Sequence, residues 1–261
     1  MKYGFLGCGN MGGAIATALA KSTQDILVTD RSGKAAALAD SLGIAYGTTD
    51  RIADTCDAIF LGVKPHMMQD CLLPLRPTLA QRKPLLITMA AGLEIRQIEE
   101  FAGCRLPVIR IMPNTPIAIG QGVIPYCTND LVSADQLSAW LADMAPCGLT
   151  DPLDEKLIDA ASVLSGSGPA YMYILLEALA DGAVACGLPR QKAMDYAAMT
   201  MAGAAQMYLT THTHPGQLKD AVCSPGGSTI AGIRALEEHG FRSAAMECVL
   251  AACHKNKELG K

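Results

Sequence analysis

Apolar and polar positions follow two different rhythms along this chain. Tyr3–Leu6, Ile26–Thr29, Ala58–Val63, Leu85–Met89 and Val108–Ile111 are short, β-rich apolar runs, the mark of strands buried on both faces. Between them, Gly12–Lys21, Lys34–Ser41, Met67–Leu79 and Ile95–Phe101 carry apolar residues at helical spacing. Strands that alternate with helices predict a mostly parallel, doubly wound α/β sheet. After Asp154 the rhythm is helical only, over Glu155–Leu164, Ala170–Cys186, Arg190–Tyr208, Thr229–Glu238 and Arg242–His254. Pro169 suits a first helical turn, and Gly187-Leu188-Pro189 stops the helix that it opens. The expected organisation is an α/β domain over residues 1–153 and an all-α domain over 154–261, with no flexible linker between them.

Composition narrows the function classes. A net charge of −4 and the lack of a basic stripe speak against nucleic acid as a partner. The most apolar stretch, Ala170–Leu176, is ended by Glu177 and Asp181 and is too short to span a bilayer. Ten cysteines include no CxxC pair and no metal-ligand spacing with histidine, so no metal is expected. Thiols among apolar neighbours, with Met1 leading straight into a strand, read as reduced cysteines of a cytoplasmic protein. The helical half carries apolar residues on several faces, which predicts a homodimer, alone or as the repeating unit of a ring.

Gly7-Cys8-Gly9-Asn10-Met11-Gly12 follows the first strand and opens the first helix. That context turns a glycine run into the Rossmann fingerprint: a tight turn, close approach to pyrophosphate, and close helix–strand contact. The helix N-terminus adds free N–H groups and a positive dipole for the anion. Asp30 ends the second strand, where an acid holds the ribose 2′-OH of NADH. Arg31, Ser32 and Lys34 beside it suit the 2′-phosphate of NADPH instead. They outnumber Asp30, so NADPH is the expected cofactor and NADH the alternative. Gly62-Val63-Lys64-Pro65 and Ala90-Ala91-Gly92 end later strands and should face the same ligand.

In the helical half, Pro225-Gly226-Gly227 is a permissive turn feeding a helix start, suited to a carboxylate. Ser228 or Thr229 could equally be an ordinary N-cap there, as could Ser167 at an earlier helix start. His212 and His214 lack a third ligand nearby and read as loop histidines.

Five segments in order along nearly the whole chain resemble the pyrroline-5-carboxylate reductase family. They are Phe5–Met11, Gly62–Pro65, Arg110-Ile111-Met112-Pro113-Asn114-Thr115-Pro116, Leu164–Tyr171 and Ser224–Ile230. The resemblance implies a Rossmann domain, a helical dimerisation domain, and NAD(P)H-dependent reduction of 1-pyrroline-5-carboxylate to L-proline. It places Ser224, Gly226 and Gly227 at the substrate carboxylate and Thr229 at the ring nitrogen, within a loop over His214–Thr229. It further implies Glu155 near that pocket, and Gly62–Pro65, Ala91, Gly92 and Thr49 at the cofactor. Three positions depart from the family: Asp30 where a neutral residue is common, His212 where an acid is frequent, and Ala221 where some members are polar.

Two rival readings compete with this one. A hydroxyacid dehydrogenase of similar plan would place a catalytic lysine on Ala170–Cys186, and that segment has none. A nucleotide-sensing regulator would have no use for Thr229 beside the Gly226-Gly227 turn.

Overall fold

The computed structural model describes residues 1–259. Its first unit, Met1–Pro169 with the residues from Cys253 onward, is built on an eight-stranded sheet. The strands are β1 (Tyr3–Leu6), β2 (Ile26–Thr29), β3 (Ala45–Tyr46), β4 (Ala58–Leu61), β5 (Leu85–Thr88), β6 (Val108–Ile111), β7 (Gly122–Thr128) and β8 (Gly148–Pro152). Their order is β3-β2-β1-β4-β5-β6-β7-β8, parallel throughout except where β7 turns back against β6.

Alternation along each strand divides the core into two layers. Tyr3, Phe5, Ile26, Val28, Phe60 and Ile87 join one cluster; Leu6, Leu27, Ile59, Leu61 and Leu86 join the other. The first layer is covered by α1 (Asn10–Leu19), α2 (Lys34–Leu42) and, through Trp140 and Met144, α7 (Ala134–Met144). The second is covered by α3 (Thr49–Thr55), α4 (Met68–Leu72), α5 (Arg76–Arg82), α6 (Ile95–Ala102) and α8 (Glu155–Ser165). Both faces of the sheet are therefore dry, as the continuous apolar runs require.

Several local expectations are corrected. The helix expected over Met67–Leu79 is broken into α4, a 3-10 turn at Leu73–Leu75 and α5, because Pro74 and Pro77 cannot continue it and each sits in a first turn instead. β3, β7, α7 and β8 were not expected. Pro125 and Gly122 hide the apolar pattern of β7, and β8 is half exposed. One signal for α7 was available, since Ser133 and Gln136 form a capping box at its start.

The second unit, Ala170–Ala252, is helical: α9 (Gly168–Ala185), α10 (Arg190–Thr211), α11 (Pro215–Ala221), α12 (Ser228–Glu238) and α13 (Phe241–Leu259), with α9 and α13 crossing its limits. The stretch His214–Thr229, expected as a loop, folds in part as α11, since Pro215 opens a helix and His214 caps it. Contacts within the chain divide it at Pro169. The reason is α8, whose Ile158 is buried in the second layer of the sheet domain. Gly260 and Lys261, the end of the expected helical domain, lie outside the described residues.

Candidate active site

β1 ends in a glycine turn pressed against the turn that follows β4. Gly7 has a left-handed backbone (φ +102), and a Cβ there would lie 2.8 Å from the Gly62 carbonyl carbon. A Cβ on Gly12 or on Gly62 would collide with the Gly7 carbonyl oxygen. The two loops thus cross at backbone contact, which larger residues would prevent. Gly9 differs: it is exposed, no atom lies within 4 Å of where its Cβ would be, and it is the N-cap of α1 with no side-chain bond. Backbone donors at a helix start, with open space over them, fit a pyrophosphate.

The surrounding loops converge on the same carboxyl edge of the sheet. The Gly7 N–H donates to the Thr29 carbonyl (2.9 Å) and the Gly62 N–H to that of Leu6 (2.9 Å). Lys64 and Pro65 are exposed beyond Val63, and Ala91 and Gly92 are exposed beyond β5. The strand order reverses at β1, the switch point at which open α/β sheets bind ligands. Met11 and Asn10 open α1. Cys8 is buried there; desolvation, reinforced by the charge of Asp30, pushes its thiol up to about 12, so it packs rather than reacts. Thr49 is the first residue of α3, but Thr48 provides the cap by accepting the Arg51 N–H (3.2 Å).

The loop after β2 is held by Asp30. Its Oδ2 accepts the Ser32 hydroxyl (2.6 Å) and its Oδ1 the Gly33 N–H (3.0 Å). Partial desolvation works against ionisation, but the Ser32 hydroxyl and the N–H groups of Ala35, Gly33 and Lys34 hold the carboxyl below its ordinary value. Arg31, Ser32 and Lys34 are exposed.

In the second unit, the Gly227 N–H closes a turn on the Ser224 carbonyl (3.0 Å), and Gly226 has a left-handed backbone (φ +69). A Cβ on Gly227 would meet the Ser224 Oγ at 2.5 Å, so a larger residue there would turn that hydroxyl aside. Gly227 itself is the N-cap of α12, without a side-chain bond. Ser228 and Thr229 are therefore its first two helical residues and not its cap. Thr229 is exposed. His214 caps α11 by accepting the Gly216 N–H at Nδ1 (3.1 Å), and His212 ends α10 with a left-handed backbone. Glu155 belongs to the first unit, where its Oε1 accepts the Ile95 N–H (2.7 Å) at the start of α6 and lies 3.5 Å from Arg110 Nη1.

A sequence profile described as pyrroline-5-carboxylate reductase dimerisation matches residues 155–259, and one described as NADP oxidoreductase, coenzyme F420-dependent, matches residues 2–92. The chain is 39% identical to the pyrroline-5-carboxylate reductase of Pisum sativum, over 98% of this chain and 95% of that one. It is equally 39% identical to that of Escherichia coli (strain K12), over 100% and 98% of the two chains. The chain belongs to the pyrroline-5-carboxylate reductase family. A crystal structure of the Plasmodium falciparum pyrroline carboxylate reductase with NADP bound is similar throughout, with a TM-score of 0.89 and 33% identity over 100% of this chain and 98% of that one.

The run Arg110–Pro116 carries family resemblance without an assigned site residue, and the structure gives two of its side chains a role. Arg110 is 1% exposed on β6 and pairs with Asp159 of α8 through Nη2 (2.6 Å). Asn114, also buried, donates from Nδ2 to the Ser165 carbonyl (2.9 Å) and accepts the Val123 N–H at Oδ1 (2.8 Å). These two side chains fasten both ends of α8 to the sheet domain. The signal was present in sequence, since an arginine inside an apolar strand must find a partner when buried.

Proposed function

We propose that this chain reduces 1-pyrroline-5-carboxylate to L-proline, with NADPH as hydride donor and NADH as the alternative. The observation that carries the reading is 39% identity to two pyrroline-5-carboxylate reductases over essentially the whole chain, so that both halves are matched. The cofactor-binding set is Gly7 to Gly12, Arg31, Ser32, Thr49, Gly62 to Pro65, Ala91 and Gly92, with Asp30 in the loop that carries Arg31 and Ser32. The substrate set is Ser224, Gly226, Gly227, Thr229 and Glu155. Residues 1–153 serve the dinucleotide; residues 154–261 serve the substrate and the contact between two subunits.

When bound, the dinucleotide supplies a hydride. The chain's own task is to hold a protonated cyclic imine, already electrophilic, in one orientation. N–H groups at the Gly226-Gly227 turn and the start of α12 hold its carboxylate. The Thr229 hydroxyl donates to the electron pair that develops on the ring nitrogen. As hydride adds to the imine carbon, the π pair moves onto that nitrogen, whose proton stays in place, and a neutral imine takes up one proton overall. A bond that strengthens as the amine forms favours the transition state.

The protein works as a cytoplasmic homodimer in this reading. All ten cysteines are free thiols, and among the described residues no helix is long and apolar enough to cross a membrane. The test follows NADPH and NADH oxidation with pyrroline-5-carboxylate and piperideine-2-carboxylate side by side. Turnover of the five-membered imine with a lower KM for NADPH than for NADH is expected. Failure to oxidise either cofactor with either imine overturns the assignment, and preference for the six-membered ring replaces the substrate.

A further inference from the structure

We propose that Asp30 governs cofactor choice as the internal cap of the loop before α2, not as a ligand of the adenosine ribose, so that this acid favours NADPH. The inference rests on the dinucleotide site assigned above. An acid at the end of β2 ordinarily turns its oxygens to ribose hydroxyls and repels a 2′-phosphate. Here each oxygen already accepts one bond from its own loop, Oδ2 from the Ser32 hydroxyl (2.6 Å) and Oδ1 from the Gly33 N–H (3.0 Å). The helix α2 has no other cap, because its N-cap is Gly33, left-handed at φ +78, and no acid stands in its first turn. Asp30 is thus a resident anion at that helix start, and a swing toward a ribose would strip the start of its partner. The same bonds hold Ser32 and Gly33 in one conformation, and with them the exposed Arg31 and Lys34 on either side. Two cations against one committed carboxylate leave the loop positive toward a phosphate.

The two roles give opposite signs on mutation. Calorimetry without substrate, on NADP+ and on NAD+, reads them whatever imine the enzyme reduces. With Asp30→Ala the loop must be ordered by the ligand, so NADP+ binding weakens about five- to tenfold, as for one lost cap, while NAD+ stays within about twofold. Asp30→Asn keeps an acceptor oxygen and brings NADP+ back to within about twofold of the unmutated protein. Tighter NADP+ binding by Asp30→Ala, or a larger loss for NAD+, makes Asp30 a ribose ligand and overturns the proposal. Equal losses for both reduce it to a fold residue and overturn it too. Arg31→Ala run in parallel reports on the site itself: selective loss of NADP+ there, with Asp30→Ala unchanged, keeps the dinucleotide site and removes only the cap. An unmutated protein that binds neither dinucleotide removes both.

Discussion

A threonine near a helix start has two uses for its hydroxyl, and the backbone decides between them. Thr229 is the second residue of α12, while the cap position falls to Gly227. Thr229→Val keeps the shape and deletes the hydroxyl, so turnover should fall roughly five- to 150-fold, the cost of about 1–3 kcal/mol for leaving the pair that develops on the ring nitrogen without a donor. The melting temperature should stay near that of the unmutated protein, because no cap is lost. A variant that melts lower and turns over normally would return Thr229 to a capping role. The sequence left this choice open because Gly227, Ser228 and Thr229 are all good cap residues, and only the dihedral angles separate them. Asp30 is a similar case. Its place at the end of β2 could be read directly, but its bonds to Ser32 and Gly33 depend on a left-handed turn at Gly33.

Among elements, the junction of the β1–α1 loop with the turn after β4 offers a paired test of packing and binding. A methyl on Gly62 would press on the Gly7 carbonyl oxygen, whereas one on Gly9 meets no protein atom. Gly62→Ala should therefore cost about 1–3 kcal/mol, roughly 2–10 °C in melting temperature, and weaken dinucleotide binding as well. Gly9→Ala should leave melting nearly unchanged yet weaken binding, since its methyl occupies the space reserved for the pyrophosphate. Calorimetric binding and thermal melts on the two variants check both; a Gly9→Ala protein with full affinity would refute that use of the space. Such glycine spacing was legible because it is a local rule. The register of β7 and β8 was not, because Pro125 interrupts the pattern and the pairing of Gly122 with Gly148 is set by strands distant in sequence. An arginine inside an apolar strand announced the need for an acid, but not which one: Arg110 and Asp159 meet only once β6 and α8 are folded.

At the scale of the whole molecule, the two units bury their apolar residues very differently. The sheet domain has two dry layers, but among residues 170–252 only Ala180 and Ala193 are buried in the single chain. Tyr173, Ile174, Tyr196, Met199 and Met246 stand 58–74% exposed. Apolar surface of that extent on helices calls for a second copy. Light scattering should give a dimer for the full chain at micromolar concentration and a monomer for a chain ending at Pro169, which keeps α8 and the partners of Arg110. A monomeric full chain would refute the dimer. The sparse burial in the second unit also sets how folding depends on the amount of protein. A sheet domain with its own core can fold as soon as it is synthesised, whereas in the proposed dimer helices without one would fold only on an encounter between chains. Their folding is then second order: melting should shift upward with concentration, dilution should inactivate the enzyme, and active protein should accumulate faster than in proportion to chain number.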